Sequence, residues 1–420
     1  MITHLLKLVW HRKRANALVM AEIFLSFLIV FAVVTLAVSL WSRWRAPLGF
    51  NWQNVWMVEI DSVLKEEHSS SRTGAPYAIP QAELDEAASM AHAAEHLINE
   101  VKTYPEVEAV AADSMTPYSN SGWTTRLTVD NRHVMVTSDQ ASDDFARVMR
   151  IPILRGRWFS AEDDAQNYVP IVIDTAAAHD MFGDKDALGQ KFSAENFVDD
   201  GGKAKREFRV VGVIPPFRKD GEFSGSDDKQ VFLRASFTHP MPPGTSRVLL
   251  RIRPGTPASF EADLASRLRR TGGVTFHIVR LEEMRKSALR MRVVPLGALT
   301  LISLFLIAMV ALGLTGVLWQ TVTRRMREIG LRRALGATGR GVRTQVLSEV
   351  ALLSTLSVVA GAVIILQLPI LGAFGVVTPA EFTTGFLTAL AVIYSITLLC
   401  GAYPSWLAST IEPADALRYE

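Results

Sequence analysis

The sequence has one cysteine, Cys400, and nowhere contains the G-x-x-x-x-G-K-[ST] pattern of a phosphate-binding loop. A single cysteine excludes an intrachain disulfide, so the fold must be held together without covalent cross-links. The missing phosphate-binding loop indicates that any ATP hydrolysis associated with this protein belongs to another chain. We expect this chain to hold no cofactor and no metal, and to have no nucleic-acid partner.

Long apolar runs are what the sequence has instead. Hydrophobic residues make up 49% and charged residues 20% of the chain, too apolar for an ordinary soluble protein and too charged for one that lies wholly in a membrane. A bilayer core of about 30 Å needs roughly 20 helical residues. Four runs are long enough, and we predict transmembrane helices at 17–41, 293–322, 346–371 and 386–407.

The first apolar run is too long for the core of a secretory signal peptide, although Lys7 and the basic residues at 12–14 precede it. No small-residue cleavage site follows it, so we predict a retained anchor. Tryptophan is typical of the membrane–water interface, and several aromatic residues follow the run. We interpret them as an interfacial belt: Trp41, Trp44, Phe50, Trp52 and Trp56.

The segment between the second and third runs, 323–345, is strongly basic. Its part 323–343 holds seven arginines and one glutamate, a charge of +7 − 1 = +6. Short basic loops beside membrane helices resist translocation, so we predict that this loop lies in the cytoplasm. The termini, 1–16 and 408–420, then lie in the cytoplasm too, whereas the long segment 42–290 and the short loop 372–385 lie outside.

The long segment is predicted to be a mixed α/β domain. Strand–helix–strand patterns occur at both of its ends, which indicates one subdomain built from about 50–140 and 245–290 with a second, at about 140–240, inserted between them. A hairpin is predicted from Arg126–Val129 and His133–Thr137, and Pro215–Lys229 reads as a mobile loop. The fold class is therefore an α-helical membrane protein with four transmembrane helices and a large mixed α/β extracytoplasmic domain between helices 1 and 2.

Several motifs resemble the MacB/FtsX family of ABC-transporter permeases. The loop EIGLRRALGAT at 328–338 is similar to the cytoplasmic signature of that family, and the ending IEPADALRYE at 411–420 resembles its C-terminus. In the long segment, LRGRWFSAEDD (154–164), MFGDKDALGQKF (181–192) and FRVVGVI (208–214) resemble its periplasmic core domain. The match is weakest in the first span, where Glu22 stands within a run that is usually small and Gly-containing.

The resemblance implies a non-catalytic permease subunit in a bacterial inner membrane, with its large domain in the periplasm. Such permeases pair with a second protomer, identical or different, and act on cytoplasmic ABC ATPases that bind the ATP and Mg²⁺. The basic loop would dock on the ATPase and transmit its movement outward. The contacts carried over by position are Glu328, Ile329, Gly330, Leu331, Arg332, Arg333, Ala334, Leu335 and Gly336. Charge alone leaves a second interpretation, in which the arginines only fix topology or bind lipid phosphate.

The resemblance leaves the substrate open. Efflux together with a periplasmic adaptor protein and an outer-membrane channel is the first hypothesis. The alternatives are release of lipoproteins and regulation of cell-wall hydrolases, in which movement itself is the output.

One short sequence pattern is consistent with a fourth function, that of a membrane-anchored zinc peptidase. His92, Glu95 and His96 fit the H-x-x-E-H pattern, and their spacing places both histidines on one helix face. The surrounding helix is rich in alanine and otherwise polar, so a solvated helix face is the preferred interpretation.

Two acids lie in or near the predicted spans, Glu22 and Glu349. Acids at such positions are costly and often functional. A proton relay would need further acids deeper in the spans, and the sequence has none there. We predict structural roles for both, with Glu349 near enough to the basic loop to pair with one of its arginines.

Overall fold

The computed structural model describes residues 13–60, 81–119, 122–129, 132–198, 205–224, 229–235, 237, 247–271, 276–324, 329, 331, 334–335, 337–368 and 377–410. The chain divides into two compact units. The helix unit comprises 1–42 and 292–420, and the sheet unit comprises 43–291.

The helix unit contains four helices that are long and apolar enough to cross a membrane, which confirms the predicted number of spans for the described residues. They are α1 (Lys13–Arg45), α6 (Leu281–Arg324), α7 (Gly339–Gln367) and α8 (Pro379–Thr410). Residues 281–291 and the predicted second span form one continuous helix, α6, with Pro295 inside.

Residues with small side chains let these helices approach closely. A Cβ on Gly361 of α7 would lie 2.6 Å from Phe27 of α1, closer than real side chains come. A Cβ on Gly313 of α6 would lie 2.7 Å from the Glu22 carboxylate. The Glu22 carboxylate therefore lies against α6, at a position that only glycine leaves open. Phe27 and Phe31 also meet Phe386 edge to face, so aromatic packing adds to the contact.

The helix α8 begins with a capping box. The backbone N–H of Thr378 donates to the Glu381 carboxylate, and the N–H of Glu381 donates to the Thr378 hydroxyl at 3.3 Å. Pro379 occupies the first helical position, where a missing N–H costs nothing. The Glu381 carboxylate also accepts a hydrogen bond from the Ser42 hydroxyl of α1, so the cap ties two helices together.

The sheet unit is built on an eleven-stranded sheet in the order β11-β1-β10-β2-β4-β9-β6-β8-β5, with β3 paired to β4 and β7 paired to β8. The first strands are β1 (Val55–Ile60), β2 (Val107–Asp113), β3 (Trp123–Val129), β4 (Arg132–Ala141) and β5 (Arg155–Gly156). The others are β6 (Val169–Asp174), β7 (Lys191–Val198), β8 (Lys205–Ile214), β9 (Gln230–Arg234), β10 (Arg247–Ile252) and β11 (Phe276–Arg280).

The helices of the sheet unit are α2 (Gln81–Val101), α3 (Phe145–Met149), α4 (Thr175–Phe182) and α5 (Phe260–Thr271), with a short 3₁₀ helix at Ala161–Ala165. Side chains of α2 and α5, such as Ala94 and Leu264, share one apolar core with β1, β2 and β10. Residues of α4 pack in a separate core with β6 and β8. A third core, around Phe145 of α3, is shared by both halves of the sheet, with Leu249 of β10 and Phe232 of β9 among its members.

The two halves of the sheet meet at one narrow seam between β2 and β4. The strands from the two ends of the long segment, β1, β2, β10 and β11, form one antiparallel half. The ladder that joins this half to the other consists of a single residue pair, Asp113 with Ala141. The predicted hairpin is confirmed as β3–β4, but it lies in the second half of the sheet rather than in the first.

The loop Pro215–Lys229 is expected from its composition to be mobile, but several of its residues are buried instead. Phe217, Arg218, Lys219 and Glu222 are all buried, so the first part of the loop is packed into the sheet unit. We call Phe217–Ser224 the packed loop. Its glycine and charged residues are typical of a solvated loop, but here Arg218, Lys219 and Glu222 find partners inside the fold.

Arg251 on β10 is the largest fully buried side chain, with 1% of its surface exposed. Its guanidinium donates to the backbone carbonyls of Asn51 at 2.8 Å, Gln53 at 2.9 Å and Val148. Burial lowers the pKa of Arg251 to about 10, which still leaves the group charged at neutral pH. One side chain therefore satisfies three carbonyl groups of irregular backbone.

Replacing Arg251 with methionine should lower the free energy of unfolding by about 3 kcal/mol, because three enclosed carbonyl groups lose their donors. Urea unfolding of the detergent-solubilised full chain, followed by tryptophan fluorescence, measures this change. The control is Arg253→Gln, two residues away on an exposed side chain. Equal stability of the two variants would contradict this role of Arg251.

Asp174 links the end of β6 to α4. Its carboxylate accepts a hydrogen bond from the N–H of Ala177 at 2.7 Å and so caps the helix. Burial raises the pKa of Asp174 to about 6, whereas an unfolded aspartate titrates near 4. The folded state therefore binds this proton more tightly than the unfolded state does. The contribution of Asp174 to stability is full below about pH 4 and is lost as the pH rises through about 6.

The substitution Asp174→Asn should remove this contribution while keeping an oxygen for the cap. Between pH 4 and pH 7, the free energy of unfolding of the wild type should fall by about 2–3 kcal/mol more than that of the variant. Urea unfolding at a series of pH values gives both curves, and the exposed Asp184→Asn serves as control. Parallel curves for the wild type and Asp174→Asn would rule out this titration.

Candidate functional site

The predicted site, the basic loop 323–345, connects α6 to α7. Four of the nine residues carried over from the family lie in the described part: Ile329, Leu331, Ala334 and Leu335. The N–H of Leu335 donates to the carbonyl of Leu331 at 3.1 Å, the spacing of a helical turn. The loop ends where Thr338 caps α7 by accepting a hydrogen bond from the N–H of Gly341 at 3.2 Å.

The described apolar residues of the basic loop point in two directions. Ile329 is buried and forms a small cluster with Val322 at the end of α6 and Val342 at the start of α7. Leu331 and Leu335 are 52% and 81% exposed. Residues four apart lie on the same helix face, so these two leucines present one apolar face outward. Ile329 thus fixes the loop on its own chain, and the leucines remain accessible to another surface.

The other residues carried over from the family, Glu328, Gly330, Arg332, Arg333 and Gly336, lie outside the described residues. The docking role of all nine therefore stays a prediction. Glu349 is partly buried on α7, and its pairing with an arginine of the basic loop stays a prediction as well.

The zinc-peptidase pattern lies on an exposed face of α2. His92, Glu95 and His96 are all exposed, whereas the neighbouring Ala91 and Ala94 are buried. Within the part of the chain that the structure describes, no group of three or more histidine, cysteine or acidic side chains is placed to hold a metal ion. The geometry therefore favours the solvated helix face over a hydrolytic centre.

The aromatic cluster after the first span splits into two groups. Trp41 and Trp44 are exposed, as an interfacial belt requires. Phe50 and Trp56 are instead buried in the sheet unit, where Phe50 packs on Phe217 with ring centroids 4.9 Å apart. The belt interpretation is therefore wrong for Phe50 and Trp56 and stays a prediction for Trp41 and Trp44.

The sequence analysis missed the charged residues of the packed loop. Arg218, Lys219 and Glu222 lie in a string of polar, proline and glycine residues, which normally indicates a solvated turn. The only local signal of burial is that Phe217 and Phe223 flank them. Their partners are separated from them by many residues in the sequence, so no short motif reveals the cluster.

Two domain families match the chain. Residues 17–267 match the MacB-like periplasmic core domain, and residues 300–413 match the FtsX-like permease C-terminal domain. The first match covers more than half of the chain and includes the whole sheet unit up to α5. The second covers most of α6 and all of the described α7 and α8.

Curated relatives agree with these matches. The macrolide export ATP-binding/permease protein MacB of Bdellovibrio bacteriovorus is 25% identical over 292 residues, which cover 63% of this chain and 41% of that protein. An uncharacterized ABC transporter permease of Bacillus subtilis, YvrN, is 23% identical over 310 residues, which cover 66% of this chain and 69% of that protein. The chain spans about half the length, or less, of the MacB relatives it matches.

A solved structure is also similar, the periplasmic region of MacB from Actinobacillus actinomycetemcomitans. The TM-score is 0.36 at 14% identity, and the similarity covers 57% of this chain and 94% of that one. Four apolar helices and the match to a periplasmic core domain make this a membrane protein with an extracytoplasmic domain. The chain belongs to the MacB/FtsX-like family of ABC-transporter permeases.

Proposed function

We propose that this chain is the non-catalytic membrane subunit of an ABC transporter. A separate cytoplasmic ATPase docks on the basic loop, and ATP hydrolysis there changes the conformation of the sheet unit on the other side of the membrane. The observation that carries the proposal is the outward apolar face of Leu331 and Leu335, on a loop that Ile329 anchors to its own chain. Such a face costs free energy in water unless another surface covers it.

Sequence features support a separate ATPase. The MacB relatives are named ATP-binding/permease proteins, and this chain matches about half of their length. It has no phosphate-binding loop of its own. ATP and Mg²⁺ would accordingly be bound by the partner. A second permease protomer, identical or different, would complete the assembly.

The charge of the basic loop supports the orientation. Seven arginines in 323–343 favour the cytoplasmic side, where they also meet anionic lipid head groups. Both termini then lie in the cytoplasm of a bacterium, and the sheet unit lies in the periplasm. The names of the macrolide-export relatives favour efflux as the process served, with a periplasmic adaptor and an outer-membrane channel as further partners.

The variant Leu331→Asp should weaken binding of the ATPase at least about tenfold, because docking would bury an unpaired carboxylate. Co-purification of the ATPase from native membranes, followed by ATP turnover of the complex, measures the loss. Leu154→Asp is the matched control, since Leu154 is 54% exposed but lies in the sheet unit. Equal ATPase recovery with both variants would refute docking at this face.

Labelling of single cysteines tests the orientation. In a Cys400→Ala background, Leu154→Cys should react with a membrane-impermeant maleimide in intact spheroplasts. Leu335→Cys should react only after the membrane is permeabilised. Labelling of Leu335→Cys in intact spheroplasts would place the basic loop outside and overturn both the topology and the docking proposal.

A further inference from the structure

The packed loop, Phe217–Ser224, is hydrogen-bonded to the end of α1. The guanidinium of Arg218 is buried and donates to the carbonyls of Arg43 at 2.6 Å and Ala46 at 3.2 Å. It also donates to the carbonyls of Glu222 at 2.6 Å and Ser224 at 3.0 Å within the packed loop. The last carbonyls of a helix have no partner within the helix. One side chain thus joins the end of α1 to both ends of a tight turn.

The packed loop also forms an ion pair with the start of α6. Glu222 accepts a hydrogen bond from Arg285 at 2.5 Å, and the Glu222 side chain is only 7% exposed. The Arg285 guanidinium also lies over the ring of Trp52, 4.4 Å from its centroid, and 5.6 Å from that of Trp44 in the last turn of α1. The end of α1 and the start of α6 therefore share one partly buried cluster, with the packed loop at its centre.

A third side chain of the packed loop faces the seam between the two halves of the sheet. Lys219 is buried, and the carboxyl groups that act on its ammonium group include those of Asp139 on β4, Asp220 in the packed loop and Asp113 on β2. Burial lowers the pKa of Lys219, while these carboxylates oppose the effect. The backbone N–H of Tyr118, which follows β2 in the chain, donates a hydrogen bond to the backbone carbonyl of Lys219 at 3.0 Å.

The seam has the shortest ladder in this part of the sheet. β2 and β4 share one residue pair, whereas β10 and β2 on one side share six and β4 and β9 on the other share five. Two backbone hydrogen bonds flank that pair, from the N–H of Ser114 to the Gln140 carbonyl and from the N–H of Ser142 to the Ala112 carbonyl, both at 2.9 Å. The Ser114 and Ser142 hydroxyls also bridge the seam, and the Ser114 hydroxyl donates to the Asp139 carboxylate at 2.8 Å. Few backbone bonds would have to change for one half to turn against the other.

The packed loop is built to move as one piece. Gly221 has φ = +88°, and a Cβ there would lie 2.4 Å from the Tyr118 ring, so the turn is closed tightly and only glycine fits. The N–H of Arg218 donates to the carbonyl of Leu48 at 2.9 Å, which ties the loop to the segment after α1. Breaking a buried ion pair such as Glu222–Arg285 by displacing one partner is costly, so a displacement of either helix end carries the loop with it.

We propose that the packed loop is the transmission joint of this protein. It collects displacement of the end of α1 through Arg218 and of the start of α6 through the Glu222–Arg285 pair. It delivers that displacement to the β2–β4 seam, where the two halves of the sheet turn against each other. Arg218, Glu222 and Arg285 are positioning residues in this process. The inference rests on the proposed function, in which an ATPase supplies the displacement.

The experiment uses the full complex with its ATPase in lipid nanodiscs. In a Cys400→Ala background, spin labels at Ser266→Cys on α5 and Asp184→Cys after α4 report the distance between the two halves of the sheet, since both positions are exposed. The distance distribution is recorded without nucleotide and with a non-hydrolysable ATP analogue plus Mg²⁺. The joint variants are Arg218→Met and Glu222→Gln.

The matched control is Arg157→Gln, which breaks a pair with the fully buried Asp163 carboxylate in the second half of the sheet. A conservative variant, Arg285→Lys, keeps a cation beside Glu222 and over Trp52. Thermal unfolding of every variant identifies loss of folding separately from loss of transmission.

The wild type and Arg157→Gln should show a nucleotide-dependent shift in the distance. Arg218→Met and Glu222→Gln should retain the ATPase and bind the nucleotide analogue, but lose at least half of that shift. Arg285→Lys should keep most of it. A full shift in both joint variants would refute the role of the packed loop as transmission joint while leaving the proposed function intact.

Other outcomes are equally decisive. A wild-type complex that binds the analogue with no distance shift would overturn movement at the seam. Failure of the wild type to retain any ATPase would refute the proposed function, and the joint with it. Should the two joint variants unfold, Arg285→Gln decides, since it removes the cation that pairs with Glu222 and leaves each group of the packed loop in place. A full shift in that variant would refute the role of the packed loop.

Discussion

The antiparallel pairing of β1 with β11 is the contact on which the rest of the sheet unit depends. β1 follows α1 and β11 leads directly into α6, so their register, with Trp56 opposite Arg280, brings the first and last strands of the inserted segment side by side. A domain inserted between two membrane helices needs such adjoining ends. The Arg280 guanidinium lies 5.2 Å from the centroid of Trp56 and pairs with Glu261 of α5, which fixes the closing strand on both sides.

Buried arginines supply hydrogen-bond donors to the backbone carbonyls that this arrangement encloses. The segments beside β1 are irregular, and the sheet encloses their backbone carbonyls away from water. A guanidinium carries five N–H donors in a fixed fork, so one side chain can satisfy several such carbonyls. Arg251 does this for the segment before β1, and Arg218 does it for the end of α1.

Much of the secondary structure follows from local patterns, because those patterns reflect which side chains avoid water. The four spans, the β3–β4 hairpin and the buried strands β6 and β8 could all be predicted from the runs of apolar residues. The helical turn at Leu331 and Leu335 in the candidate site also follows from its spacing. The inward position of Ile329 does not, because it depends on Val322 and Val342 from two different helices.

The sequence by itself determined the class of the molecule, because apolar length sets the number of spans and the motifs match the permease family. Only the tertiary structure decided which charged residues are buried and that the two halves of the sheet meet at β2 and β4. The reason is physical. Transfer of apolar surface out of water is additive along the chain and visible in composition, whereas a buried charge is tolerated only where distant residues supply its partners.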